Sequence, residues 1–166
     1  MIKIRDYKEG DASQVCILIA DTYTEFNLGF ASAEELPLLL GPFQHARSSD
    51  QAHKQQIAET IHSEIVLVAE DGSKIVGVLR GRKERLASLF VHKDYHRQGI
   101  GQSLVEQFEQ ESLNQGVSLV NVAATLFAVP FYNKMGYEES GEIKTSWSFD
   151  GYGLQHQPMI KMLNSK

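Results

Sequence analysis

The 166-residue sequence predicts a mixed α/β (α+β) fold, a sheet flanked by helices on both faces. Three observations carry that expectation. Segments with strand character and segments with helical apolar spacing follow one another in the order β-α-α-α-β-β-β-α-β-α-β-β. Asp71-Gly72, set between two apolar runs, is a hairpin signal. The run Leu86–Val91 is apolar on both of its faces, as a central strand covered on each side requires.

Taken in order, residues 2–6 read as a first strand. Asp11 is a good N-cap with Gln14 three residues on, and Ala12, Val15, Cys16, Ile19, Tyr23 and Phe26 then recur at helical spacing. Ser32-Ala-Glu-Glu35 is a second capping signal, though Pro37 and Gly41-Pro42 keep that helix short. His53, Ile57 and Ile61 mark a further helix. Glu64–Glu70 and Lys74–Arg82 form the hairpin, and Leu86–Val91 follows. A helix opening at Gly99 buries Ile100, Leu104, Val105 and Phe108 and ends near Asn114-Gln-Gly116. Leu119–Ala123 is the next strand. A short helix runs to Met135, with Pro130 tolerated in its first turn and Gly136 as its stop. Ile143–Ser148 and Leu154–Leu163 close the chain as a hairpin.

The length suits a single domain over residues 1–166. Apolar residues at 42% and charged residues at 22% are ordinary for a soluble globular chain. No apolar run approaches the roughly 20 residues that span a bilayer, and residues 1–7 read as a strand rather than a leader. Cys16 is the only cysteine, so no intrachain disulfide forms. A cytoplasmic protein, monomeric or homodimeric, is expected. A net charge of −5 argues against nucleic-acid and membrane partners.

The most informative stretch is Leu89–Leu104, an apolar strand, a charged turn, and Gly99-Ile-Gly101 opening an amphipathic helix. Amides at a helix N-terminus lack partners within the helix, and the dipole makes that end electropositive. Glycines let an anion approach the main chain, so a phosphate-bearing ligand is the natural occupant. No third glycine completes a dinucleotide-binding G-x-G-x-x-G, and no Gly-Lys-Ser/Thr completes a P-loop. A second constellation is Thr125-Leu-Phe-Ala128-Val-Pro-Phe131-Tyr132-Asn-Lys134-Met-Gly136-Tyr137.

These two segments resemble the diagnostic motifs of the GNAT superfamily of acetyl-CoA-dependent N-acetyltransferases. His96-Arg97-Gln98-Gly99-Ile100-Gly101 resembles the pyrophosphate signature Q/R-x-x-G-x-G/A, with His96 departing at the first position. Ala128, Phe131, Tyr132, Lys134, Gly136 and Tyr137 match A-x-x-F-Y-x-K-x-G-F/Y. The resemblance spans residues 64–163 and implies the GNAT (acyl-CoA N-acyltransferase) fold, whose strands splay apart beside the glycine turn.

It also implies transfer of an acetyl group from acetyl-CoA to a primary amine of a small molecule or peptide, by direct attack in a ternary complex. Tyr132 would be the general acid that protonates the thiolate; a phenol with a pKa near 10 is ready to donate at neutral pH. Acetyl-CoA, the co-substrate, would meet Leu89, Phe90, Val91, Arg97, Gln98, Gly99, Ile100, Gly101, Gln102, Ser103, Thr125 and Tyr132. A main-chain N–H at Phe90 or Val91 would polarise the thioester carbonyl. Thr125 stands where many members have asparagine and offers one similar hydrogen bond. Glu84 is the candidate base, set against its reading as a solvated charge at a strand end.

Other features read more simply. Six histidines form no metal-ligand pattern, and no metal is expected. Cys16 belongs to a core face. The acidic run Glu106–Glu111 reads as a solvated face. Trp147 and Tyr152 flank the last turn. Tyr23, Glu25, Phe26, Phe30, Glu34 and Glu35 would form an acceptor pocket of aromatic walls and carboxylates suited to cationic amines. Two competing readings are a non-catalytic CoA-binding sensor of the same fold and a nucleotide enzyme with ATP or NAD affinity.

Overall fold

The computed structural model describes residues 1–148 and 151–164, with the side chains of residues 146–153 outside that description. In chain order the elements are β1 (Ile2–Asp6), α1 (Ala12–Asn27), α2 (Leu36–Leu40), α3 (Gln51–Ile61), β2 (Ile65–Asp71), β3 (Lys74–Arg82), β4 (Arg85–Val91), α4 (Ile100–Asn114), β5 (Leu119–Thr125), α5 (Val129–Lys134), β6 (Glu138–Glu139), β7 (Lys144–Ser148) and β8 (Gly151–Met162). The two-residue strand β6 is the one that the sequence does not announce, being too short to carry a period. Trp147 and Tyr152 lie outside the described side chains.

Among the described residues the eight strands run β1-β2-β3-β4-β5-β8-β6, with β7 also paired to β8. Neighbours are antiparallel except β4 and β5, which are parallel and meet only at Arg85–Asn121 and Leu86–Val122. The sheet is therefore two antiparallel leaves joined by one short seam. A bulge sharpens the divergence. On β3 Arg80 and Gly81 are successive, yet on β4 their partners are Ser88 and Leu86, so Ala87 is the extra residue. Such a residue bends its strand and increases the local twist. A Cβ at Gly81 would sit 2.5 Å from the Arg85 carbonyl, so the close approach at this bulge excludes any side chain there.

Helices cover both faces, as the apolar pattern requires. On one face α1, α2 and α3 bury Ile19, Tyr23, Leu39, Ile57 and Ile61 against Val68, Val78 and Phe90. On the other, α4 buries Ile100, Leu104, Val105 and Phe108 against Leu79, Leu86 and Val122, and Tyr132 and Tyr137 join this core. Each fully buried side chain of this size contributes about 1.5–3 kcal/mol.

Local expectations are corrected at two places. Asp11 occupies the N-cap of α1 but makes no side-chain cap. Its carboxylate accepts from the Arg5 guanidinium at 2.8 and 3.0 Å and from the Lys8 amide at 2.8 Å. That guanidinium holds the Asp11 carboxyl below its ordinary pKa. The second correction is Glu109, expected on a solvated face. It is buried, accepting from the Tyr137 hydroxyl at 2.9 Å and from Lys161 Nζ at 2.9 and 3.1 Å. By contrast, the Ser32–Glu35 capping box closes as expected, with the Glu35 amide donating to Ser32 Oγ and the Ser32 amide to Glu35 Oε2.

Candidate active site in the β4–β5 cleft

Beyond Leu86 the inner edge of β4 has no strand beside it. The direction of each main-chain group follows from alternation along an antiparallel pair. His92 N–H donates to Val76 O of β3 at 2.8 Å, and Phe90 is opposite Val78. Phe90 therefore spends its amide on β3, while Leu89 and Val91 turn theirs toward the gap. This corrects the expectation for Phe90: its N–H is not available, and the donors at this edge are Leu89 and Val91. The Val91 carbonyl is taken by His96, whose Nε2 lies 2.7 Å away. The His96 ring packs on Phe26 with centroids 4.7 Å apart, and Phe26 stacks on Phe127 at 5.5 Å. His96 thus ties the turn to β4 and to α1.

The turn continues with two left-handed residues, Arg97 (φ 62°) and Gly99 (φ 78°). For arginine that conformation costs about 1–2 kcal/mol, and such strain clusters where a ligand must be held. The first helical bond of α4 is Ser103 N–H to Gly99 O at 3.0 Å, so the amides of Ile100, Gly101 and Gln102 have no acceptor inside the helix. Gly99 supplies no side-chain cap, and no acidic side chain occupies the first turn. Gly101 is constrained on another side too: a Cβ there would sit 3.3 Å from the Phe131 ring.

These groups line a cavity of about 580 Å3 that runs from the α4 terminus to Tyr132. It shares the lining residues Leu89, Phe90, Thr125 and Tyr132 with a compartment of about 290 Å3 at the narrow end of the cleft. Among the described residues, neither lining contains a carboxylate. Tyr132 is buried at the junction, edge-on to Phe131 and Tyr137. Burial raises its pKa well above the ordinary tyrosine value, so the hydroxyl stays protonated across the neutral range.

Of the residues expected to contact a ligand, Leu89, Phe90, Val91, Arg97, Gly99, Ile100, Gly101, Gln102, Thr125 and Tyr132 all line the larger cavity. Gln98 and Ser103 are not among its lining residues; Gln98 Nε2 donates to Asp94 O at 3.2 Å. Glu84 is displaced from the site altogether. It lies in the β3–β4 turn, at the opposite end of β4 from the glycine turn, with its carbonyl accepting from Asn121. The expected acceptor carboxylates are also elsewhere. Glu35 closes its capping box, Glu34 is exposed, and Glu25 lies 3.9 Å from Lys93 on the surface. Tyr23, Phe26 and Phe30 do border the cleft and an adjoining groove of about 420 Å3.

Three residues at the site carry no motif. Asn27, at the last turn of α1, borders both cavities, and its Oδ1 is buried with no hydrogen-bond partner among the described residues. Arg80 and Arg85 line the smaller compartment. Their positions on β3 and β4 were readable, but not that both point to the cleft face.

Free helix-terminal amides, an open strand edge and a buried phenol thus meet in one cleft. Comparison with known proteins identifies the family. The model of the acetyltransferase (GNAT) domain matches residues 24–163, and the chain belongs to this GNAT acetyltransferase family. The chain is 24% identical over 161 residues to the uncharacterized N-acetyltransferase YafP of Escherichia coli K12, covering 95% of this chain and 97% of that one. It is 30% identical over 112 residues to the uncharacterized N-acetyltransferase YjcF of Bacillus subtilis, covering 65% and 77%. A GCN5-related N-acetyltransferase from Rhodopseudomonas palustris superposes with a TM-score of 0.76 at 22% identity, over 97% of this chain and 95% of that one. The PaiA N-acetyltransferase of Thermoplasma acidophilum, solved with coenzyme A, superposes at 0.73 and 17% identity, over 98% and 99%.

Proposed function

We propose that the protein transfers an acetyl group from acetyl-CoA to a primary amine by direct attack in the β4–β5 cleft. The observation that carries this reading is the continuity of the cavity from the unpaired α4 amides to the Tyr132 hydroxyl. The amides of Ile100, Gly101 and Gln102 receive the pyrophosphate, with Arg97 adding charge from the turn. The outward main-chain groups of Leu89 and the Val91 amide take the place of a strand partner for the pantetheine amides. The Asn27 Oδ1 and Thr125 hydroxyl are available at the same junction.

The amine enters neutral, and its nitrogen attacks the thioester carbonyl carbon. An N–H of Leu89 or Val91 stabilises the developing oxyanion. As the C–S bond breaks, Tyr132 gives its proton to the thiolate, and the proton lost by the amine passes to water in the cleft and from there back to Tyr132. The products are an N-acetyl amine and free CoA thiol.

The test is release of free thiol from acetyl-CoA against a panel of amines, with the product identified by mass. Thiol release matched to an acetylated amine is the expected result. CoA binding with no transfer across the panel would favour a sensor, and affinity for ATP or NAD in place of CoA would overturn the assignment.

A further inference from the structure

We infer that the acceptor carries a carboxylate beside its amine and is held through that carboxylate by Arg85. This deepens the acetyl-transfer reading and rests on it. The compartment of about 290 Å3 beyond Tyr132 has room for a small molecule and, among the described residues, no acidic lining residue. Its floor is the face of the sheet that α1 and α3 cover. Arg80 and Ser88 share that face, with Arg80 Nη1 3.3 Å from Ser88 Oγ. Arg80 also donates to the last carbonyls of α3, to Thr60 O at 2.6 Å and Ile61 O at 2.9 Å, which fix its guanidinium in place.

Arg85 is oriented differently. Its Nη1 donates to Asn121 Oδ1 at 2.8 Å, while Asn121 Nδ2 is held by the Glu84 carbonyl at 2.9 Å. The amide of Asn121 is thereby locked, and it presents the guanidinium without neutralising it. No carboxylate lies within ion-pair distance of Arg85 among the described residues. His156 and Lys144 lie opposite each other on β8 and β7. Burial, and after it the charges of Arg85 and Lys144, keeps the His156 pKa below its ordinary value. A fixed guanidinium fork matches a carboxylate in geometry as well as charge. At the other end of the compartment, the buried Asn27 Oδ1 is an acceptor suited to an amine N–H. A cationic floor and an N–H acceptor together fit an amino acid, not the cationic amines that the sequence suggests.

The experiment compares three matched acceptors, a small amino acid, its carboxamide and its decarboxylated amine, by thiol release from acetyl-CoA. An aminophosphonic acid of the same length forms a fourth arm. The expected result is a kcat/KM for the amino acid roughly 10- to 100-fold above those of the carboxamide and the amine, carried by KM. Arg85→Met should collapse that ratio, and Arg85→Lys should restore part of it, while the Kd for CoA holds in both. Equal or better turnover of the neutral or cationic acceptors by the wild-type protein would overturn the inference and leave acetyl transfer standing. So would an unchanged ratio in Arg85→Met. Preference for the phosphonic acid over the amino acid would overturn the carboxylate assignment. Thiol release with no acceptor of any class would remove the acetyl-transfer reading and this inference with it.

Discussion

Tyr132 owes its protonation state to the place α5 gives it. Pro130 and Gly136 delimit a helix barely two turns long, and Phe131 and Tyr137 hold the phenol edge-on at the cavity junction. An acid whose pKa is raised by burial remains loaded throughout the pH range in which an amine is increasingly neutral. Loss of activity at high pH should therefore not follow from titration of Tyr132. Tyr132→Phe keeps the packing and removes the proton. It should lower kcat roughly tenfold to a thousandfold with the Kd for CoA nearly intact, measured by thiol release and calorimetry. An unchanged kcat would leave Tyr132 a packing residue. Tyr132 was readable because it sits in a compact local pattern. Asn27, Arg80 and Arg85 were not, since their convergence depends on three elements meeting across the sheet and on a bulge at Ala87 that shifts register by one residue.

Among the elements, α4 borders the site at one end and holds a buried charge in its middle. Its N-terminus offers the free amides, and its middle holds Glu109, where the hydroxyl of Tyr137 and the ammonium of Lys161 converge. Removing one partner of a buried ion pair strands the other, at a cost of about 3–5 kcal/mol. Glu109→Ala should lower Tm by roughly 6–20 °C in thermal melts at neutral pH, at about 2–4 °C per kcal/mol for a chain of this size. A shift under 2 °C would mean that the network is solvated and adds little. The helix itself was legible, because Ile100, Leu104, Val105 and Phe108 keep its spacing. The buried charge was not legible: an acidic residue among Glu106, Gln107, Gln110 and Glu111 reads as surface until Tyr137 and β8 close over it. For the same reason β6 escaped detection, being defined only by its pairing to β8.

At the scale of the whole molecule, the order of elements and the helices on both faces followed from hydrophobic period alone, while the unpaired edge of β4 could not. Two leaves that share only the Arg85–Asn121 and Leu86–Val122 pairs leave a stretch of sheet whose hydrogen-bond partners must come from elsewhere. Deuterium uptake reports on this directly. In the free protein the amides of Leu89 and Val91 should exchange much faster than those of Ser88 and Phe90, which β3 protects. On adding CoA, Leu89 and Val91 should slow, and the melting temperature should rise with ligand concentration. Equal protection of all four amides, or no response to CoA, would contradict the open edge. A ligand seated there does more than occupy a hole. It supplies rungs that the polypeptide omits, so the complete ladder is a property of two molecules, and the sheet finishes folding each time one binds.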